Sequence, residues 1–372
     1  MAHDDLVSLA RELVAIPSET TESNEKVSDY LQGWLESHDF AVERLVYRHP
    51  GDTLKVNLVA KRGKGSGGIG FFSHSDTVPG DTRLWNPFDP VVREGRLFGR
   101  GSCDMKGPLA ATLIAAAGAD FGRLQKPVYI GVTSDEEQGH RGARHILEHS
   151  QMLGEGWPEF AVVAEPTDLI PVYGHKGSAN ITITAHGKAA HTSTEKGVSA
   201  NFIIAPFLAE MAALAPVFRS DRRFRNDMFD PPTNGFNLTI DDGNCRPNVT
   251  AAKTVSRISL RLMPGDHREE QFAMIEDRAK FHRLEVERTL VESFYIRPDA
   301  RIIQAACRAA GAEKAITVPF GTEAEAYQSH AETVVLGPGD IAQAHTIGEW
   351  IDIGRLQQAV SVYGKLIAQL CS

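Results

Sequence analysis

The chain has 372 residues, 42% hydrophobic and 23% charged, with a formal net charge of -9. That length exceeds what one hydrophobic core usually fills, the composition is ordinary for a globular protein, and the acidic balance argues against nucleic acid as a partner. The start, MAHDDLVSLARELVAIPS, lacks a basic stretch followed by an apolar core, and no apolar run approaches the ~20 residues of a membrane span. Cys103, Cys245, Cys307 and Cys371 are scattered and form no Cys-x-x-Cys pair, so a thiolate metal site and a disulfide framework are both disfavoured. The expectation is a cytoplasmic protein with no membrane partner.

Leu6, Leu9, Ala10 and Leu13 recur at helical spacing, and Pro17 closes that helix; Val27, Tyr30, Leu31, Trp34 and Leu35 repeat the pattern. AVERLVY, KVNLVAK and GIGFFS read as strands. The glycine-rich KRGKGSGG between the last two is a hairpin loop rather than a phosphate cradle, because no helix follows it. The helix MKGPLAATLIAAAGA, the strand VYIGVT, a helix around RGARHILEHS and the strand FAVVA complete an alternating series. That series predicts an α/β domain with a mixed, mainly parallel sheet. The rhythm then changes. YGHKGSANITITAHG, a helix SANFIIAPFLAEMAALA, TNGFNLTI, TVSRISLRLMP, a helix DHREEQFAMIEDRAKF and LEVERTL form a β-α-β-β-α-β run. After about residue 292 the α/β rhythm returns, with a helix around RIIQAACRAAG, the strand ETVVLG and a terminal helix RLQQAVSVYGKLIAQL. The organisation predicted is one domain built from 1–176 and 293–372, with an α+β unit inserted at 177–292.

Acids and histidines collect just after the strand-like runs: His74 and Asp76 in FFSHSDTVPG, Asp104 in GRGSCDMKG, Glu136 and Glu137 in VTSDEEQG, Glu165 in VVAEPT, and His345 in GDIAQAHTIGEW. Ligands of open α/β sheets bind outside the carboxyl ends of the strands. Carboxylate oxygens and neutral imidazoles are what a divalent ion needs, and this many suits a two-metal hydrolase. A carboxylate such as Asp104 can span two ions about 3.5–4 Å apart. His74 and Glu165 could then complete one ion's ligands, and Glu137 and His345 the other's. Asp76 is placed to accept the second ring N–H of His74, although His-Ser-Asp by itself is also an ordinary polar turn. Adjacent carboxylates repel. A division of labour relieves this, with Glu137 ligating and Glu136 taking a proton from the attacking water; an acidic helix N-terminus is the plain alternative.

These segments, in this order, resemble the two-zinc metallopeptidase family that includes acetylornithine deacetylase, succinyl-diaminopimelate desuccinylase, aminoacylase and glutamate carboxypeptidases. The resemblance runs from about residue 6 to 370. It implies metal ligands His74, Asp104, Glu137, Glu165 and His345 with Asp104 bridging, Glu136 as general base, Asp76 orienting His74, and a cis peptide after Asp104. Two zinc ions are implied, with cobalt or manganese as substitutes. The inserted unit resembles the family's lid and dimerisation domain. His191 matches a histidine that steadies the oxyanion in the partner's site, Asn248 and Arg257 match residues that grip the substrate carboxylate, and Lys176 matches a basic position near the substrate. GTEAEAY followed by VLGPGDIAQAH leans to the deacetylase branch, which would place the chain in arginine biosynthesis and make N-acetyl-L-ornithine the substrate of a homodimer. Glu323 or Glu325 is then a partner for the ornithine ammonium. Another N-acylamino-acid hydrolase or a dipeptidase on the same scaffold is the alternative, and a binding protein without catalysis is a further one.

Overall fold

The protein's structure is a computed structural model that describes residues 2–49, 51–265 and 267–372, with side chains from Asp5 onward. The chain divides into two compact units. The first comprises Met1–Tyr173, Tyr295–Ile316 and Thr322–Ser372; the second comprises Gly174–Phe294 and Thr317–Gly321. The stretch 317–321, read from sequence as part of the first body, thus groups with the second.

The first unit is organised by strands β1 (Ala41–Arg48), β2 (Leu54–Arg62), β3 (Ile69–His74), β4 (Val128–Thr133), β5 (Phe160–Pro166) and β6 (Glu332–Gly337). They lie in the order β1-β2-β4-β3-β5-β6, continued by short strands around Val172 and Tyr295. β4, β3, β5 and β6 are mutually parallel, while β1 and β2 add an antiparallel edge. β3, β4 and β5 are buried at every residue, as expected where helices cover both faces of a parallel sheet. On one face Phe71, Ile130, Val162 and Val334 pack with Leu13 of α1 (Ala2–Ala15), Leu109 of α2 (Lys106–Ala117) and Leu366 of α4 (Ile353–Leu370). On the other, Val59 and Tyr129 meet Ile146 of α3 (Arg141–His149) and Leu153, and Phe72 stacks on Tyr327 with ring centroids 4.2 Å apart.

A small antiparallel sheet had no signal in the sequence. Trp350–Asp352 pairs with Arg96–Phe98, which pairs with Val91–Arg93. Its consequence is to bring Glu349 beside the loop that carries Asp104.

The second unit has the β-α-β-β-α-β order read from sequence. Its four strands lie in the order Phe236–Asp241, Lys253–Leu262, Gly177–His186, Glu285–Val291, all antiparallel. Ile204, Phe207 and Met211 of helix Ala200–Ser220, and Phe272 and Ile275 of helix Arg268–Phe281, pack on Ile181, Ile183 and Leu260 of the sheet. Asp266, where the sequence begins the second helix, lies outside the described residues. The expectation that no apolar run approaches span length needs correction, because Ala200–Ser220 is long and apolar enough to cross a membrane by length and composition. Its buried residues instead follow a helical stripe, Ile204, Phe207, Met211, Leu214 and Phe218, set against the sheet, which is how a core helix is built.

Gly131 in β4 marks a close approach, since a Cβ there would fall 2.4 Å from Cδ1 of Phe72. Gly131→Ala should therefore overpack the layer under the Phe72–Tyr327 stack and destabilise the protein by roughly 1–3 kcal/mol, read as a lowered denaturation midpoint with an unchanged slope. An unchanged midpoint would show that this layer yields freely.

Candidate metal centre

The carboxyl ends of the parallel strands deliver the acids and histidines to one place. His74 is the last residue of β3, and Glu165 sits near the end of β5. Glu136 and Glu137 follow β4 in a single helical turn, and His345 follows β6 after the turn Ile341–Gln343. Asp104 lies in the loop leading into α2, and the Asp104–Met105 peptide is cis. Three non-glycine residues here adopt positive φ, namely Asp135 (60°), His140 (58°) and His345 (63°). Such backbone is uncommon for side-chain-bearing residues and collects at functional sites.

The two oxygens of Asp104 face different neighbours. Its Oδ1 lies 3.1 Å from Nε2 of His74, which in turn lies 3.6 Å from Oε1 of Glu165. Its Oδ2 lies 3.3 Å from Nε2 of His345, which is 3.1 Å from Oε2 of Glu137. Three candidate donor groups result among the described residues, His74–Asp104–Glu165, Asp104–Glu137–His345 and His74–Glu136–Glu137, each with its ligand atoms within 4.8 Å of one another. Asp104 joins the first two.

Electrostatics show that this set fits cations. Burial pushes the Glu165 carboxyl well above its ordinary value, and repulsion from Asp104 adds to it. Burial also raises Glu137 to about 7, against the opposing hydrogen bond to His345. Burial works against charge on Asp104 too, but hydrogen bonds from His345 and His74 hold its carboxyl well below the usual range. His345 rises to about 10 through its hydrogen bonds to Asp104 and Glu137. Without metal, protons stand in for the missing positive charge; a divalent ion in each set removes the need for them.

A supporting layer was not read from the sequence. Glu349, fully buried, accepts from the backbone N–H groups of Cys103 (2.8 Å) and Asp104 (3.0 Å) through Oε1. Its Oε2 accepts from Gly101 N–H (3.1 Å) and pairs with Arg100 at 2.6 Å. One carboxylate thus fixes the backbone carrying Asp104. Lys55, 1% exposed, pairs with Asp135 at 2.7 Å. It also donates to the carbonyls of Thr20 (2.7 Å) and Glu22 (2.8 Å), clamping the residue that precedes Glu136. His140 bridges Glu136 and Glu325. No motif advertises these residues; Glu349 acts on a loop remote in sequence, Lys55 pairs with the remote Asp135, and His140 meets Glu136 four residues before it as well as the remote Glu325.

Several expected roles need correction. The second ring nitrogen of His74 meets the backbone carbonyl of Asp76 at 2.9 Å, while the Asp76 carboxylate is 3.7 Å away. That carboxylate accepts instead from the N–H groups of Glu136 (3.3 Å) and Glu137 (3.4 Å), so it shapes the Glu136–Glu137 turn. Lys176 is 2% exposed and donates to the carbonyls of Pro231 (2.7 Å) and Thr233 (2.6 Å); its ammonium is consumed within the second unit. Glu323 is 1% exposed and turned inward, accepting from Thr133 Oγ1 at 2.7 Å and Tyr327 Oη at 3.3 Å, because those hydroxyls supply the partners a buried carboxyl needs. Glu325 is likewise taken up by His140. His191, Asn248 and Arg257 all lie in the second unit and are exposed. The backbone of His191 bridges to Val249, and Asn248 O accepts from Thr192 N–H at 3.0 Å, which puts His191 and Asn248 on adjoining loops.

Residues 70–369 match the peptidase family M20/M25/M40. The chain is 33% identical to a Proteus mirabilis protein named acetylornithine deacetylase, over 98% of this chain and 96% of that one. An M20 metallo-carboxypeptidase of Sulfolobus solfataricus superposes with a TM-score of 0.79 at 14% identity, covering 98% of each chain. The Bacillus subtilis YXEP protein, described as a dinuclear metal-binding M20 peptidase, superposes at 0.65 with 16% identity, covering 100% of this chain and 98% of that one. At those identities the structural likeness is one of fold.

Two measurements follow from the site. Glu349→Gln removes the charge that holds the Asp104 loop and answers Arg100; metal affinity should fall about 10- to 100-fold, the usual cost of losing a residue that supports a ligand, as read by chelator competition. Unchanged affinity would release Glu349 from this role. Secondly, because Glu137 and His345 hold protons up to about 7 and about 10 without metal, and ligands must be deprotonated, metal binding should expel protons and weaken as pH falls. Calorimetry of metal binding in buffers of different ionisation enthalpy should show that release at pH 7, and identical heats across buffers would contradict it.

Proposed function

The chain belongs to peptidase family M20/M25/M40 and is a metal-dependent amidohydrolase, and within that class we propose that it converts N-acetyl-L-ornithine and water to L-ornithine and acetate. The observation that carries this reading is identity of 33% along nearly the whole chain to a protein of that name, together with an Asp104 carboxylate whose two oxygens face two donor sets. Two divalent cations, zinc in this reading, would be held by His74, Asp104 and Glu165 and by Asp104, Glu137 and His345, and would supply Lewis-acid polarisation of the acyl carbonyl and acidification of the attacking water.

The chain's own groups do the rest. Glu136 lies beside Glu137 and outside both Asp104 sets, although its carboxylate also groups with His74 and Glu137; in this reading it takes the proton of the attacking water and returns it to the leaving amine. Arg257 and Asn248 meet the substrate α-carboxylate, Arg257 through two parallel N–H bonds. His191 of a second copy donates to the developing oxyanion, so the working enzyme is a homodimer joined through the second unit. The surface of that unit suits such a contact. Strand Phe236–Asp241 ends the four-stranded sheet with an open edge, Ile240 on it is 56% exposed, and Phe202 on the apolar helix is 82% exposed; open edges and apolar patches mark association sites.

The inward-facing Glu323 favours a second reading, a broader N-acylamino-acid hydrolase, since a carboxylate held by Thr133 and Tyr327 must turn to meet an ammonium. The two differ in a measurable way. An acidic partner for ornithine should make kcat/KM for N-acetylornithine roughly 10- to 100-fold higher than for N-acetylnorvaline. Equal efficiency would establish the broader enzyme.

Glu136→Gln should lower kcat at least ~100-fold with metal content unchanged, and near-parental turnover in the metal-loaded variant would remove Glu136 from proton transfer. His191→Ala and Glu136→Gln proteins, each inactive alone, should regain activity when mixed and allowed to exchange subunits. Demonstrated exchange without activity would confine His191 to a role outside the partner's site.

A further inference from the structure

His140 occupies a position that the reaction described so far does not use. It is 6% exposed, and its ring lies between two carboxylates. Nε2 is 3.2 Å from Oε1 of Glu136, and Nδ1 is 3.2 Å from Oε1 of Glu325. The far carboxylate is itself held, with Arg144 3.7 Å from the same oxygen. Both flanking carboxylates are nearly enclosed, with side-chain exposures of 11% for Glu136 and 7% for Glu325. Ionised carboxylates only accept, so the imidazole serves both by donating from both ring nitrogens. Burial works against the charged ring, but the hydrogen bonds to Glu136 and Glu325 raise it to about 10.

The backbone supports the same placement. His140 precedes α3 with φ 58° and ψ 35°, a left-handed conformation. Its own N–H donates to the Glu136 carbonyl at 3.3 Å and its carbonyl accepts from Arg144 N–H at 3.3 Å. The ring is thereby fixed at the mouth of the turn that carries Glu136, with Glu325 arriving from the separate segment 324–327.

We propose that His140 is the positioning residue for the Glu136 carboxylate, a strut whose Nε2–H fixes the carboxylate's orientation and whose Nδ1–H is anchored by Glu325. This rests on Glu136 as the proton-transferring base. A carboxylate left to rotate would meet the attacking water in a productive pose less often, and misplacement by about 1 Å can cost ~100-fold in rate.

The side-chain amides separate the two ring bonds. In His140→Gln the amide nitrogen falls near the position of Nε2 and can still donate to Glu136. In His140→Asn it falls near Nδ1 and keeps only the bond to Glu325. A role confined to backbone conformation ranks the two oppositely, because Asn tolerates left-handed φ far better than Gln. For metal-loaded proteins the expected order is therefore parent, then His140→Gln, then His140→Asn and His140→Ala. The last two should lose roughly 10- to 100-fold in kcat with KM and metal content unchanged, and free imidazole should restore part of the loss in His140→Ala. Asn equal to or better than Gln, or all three variants at parental kcat, overturns the proposal. Run alongside, Glu136→Gln separates the two claims. If it is inactive while the His140 variants are not, only the strut fails; if it turns over normally, the base assignment fails and the strut with it.

Discussion

The carboxylate of Asp104 must serve two sides at once, and most of what surrounds it can be understood from that requirement. One oxygen is directed to His74 and the other to His345, so a rotation that favours one side spoils the other. A short side chain can meet such a demand only if its backbone is fixed. Glu349 does this by accepting three successive-loop N–H groups, from Gly101, Cys103 and Asp104. The Arg100 guanidinium balances the buried charge. The small sheet that pairs Trp350–Asp352 with Arg96–Phe98 is what brings Glu349 to the loop, so an element outside the parallel sheet sets the geometry of its most demanding residue.

The same crowding explains the second layer of charge. Carboxylates packed together in a buried site are unstable unless cations or donors answer each of them. Asp135 is answered by Lys55 and by the Tyr47 hydroxyl at 2.8 Å, Asp76 by the N–H groups of Glu136 and Glu137, and Glu325 by His140 and Arg144. Burial still drives the Glu165 and Glu137 carboxyls upward, as it does those of Asp76, Glu323 and Glu349. At Glu165 and Glu137, two divalent ions would supply the positive charge that protons otherwise provide.

Much of this was legible in the sequence, for a physical reason. Continuous apolar runs such as VYIGVT and FAVVA declare fully buried parallel strands, and hard donors placed directly after them can only lie at the strands' carboxyl ends. His74, Glu137 and Glu165 stand out in the sequence for that reason, and Asp104 and His345 through the order of the motifs, which also carried the family. Roles that depend on side-chain direction were not legible. Sequence placed Asp76 beside His74, but whether carboxylate or carbonyl takes the ring N–H is settled by local backbone. Lys176 was close to a motif, yet its ammonium is spent on two carbonyls. Glu349 and Lys55 carry no motif at all, because a buried partner defined by a contact across the fold leaves no local spacing to read; His140 stands four residues from Glu136, but a spacing of four also fits any helical turn, so it does not single out the pair. The apolar helix Ala200–Ser220 was under-read because its single glutamate interrupts the run without breaking its overall hydropathy.

The claim on which the account turns is that Asp104 joins two cations. Anomalous diffraction from crystals of the metal-loaded enzyme, recorded on both sides of the zinc absorption edge, tests it directly. Two peaks per chain are expected, one flanked by His74 and Glu165 and the other by Glu137 and His345, with one oxygen of Asp104 directed to each. A single peak at full metal occupancy, or two peaks with Asp104 serving only one of them, would contradict it.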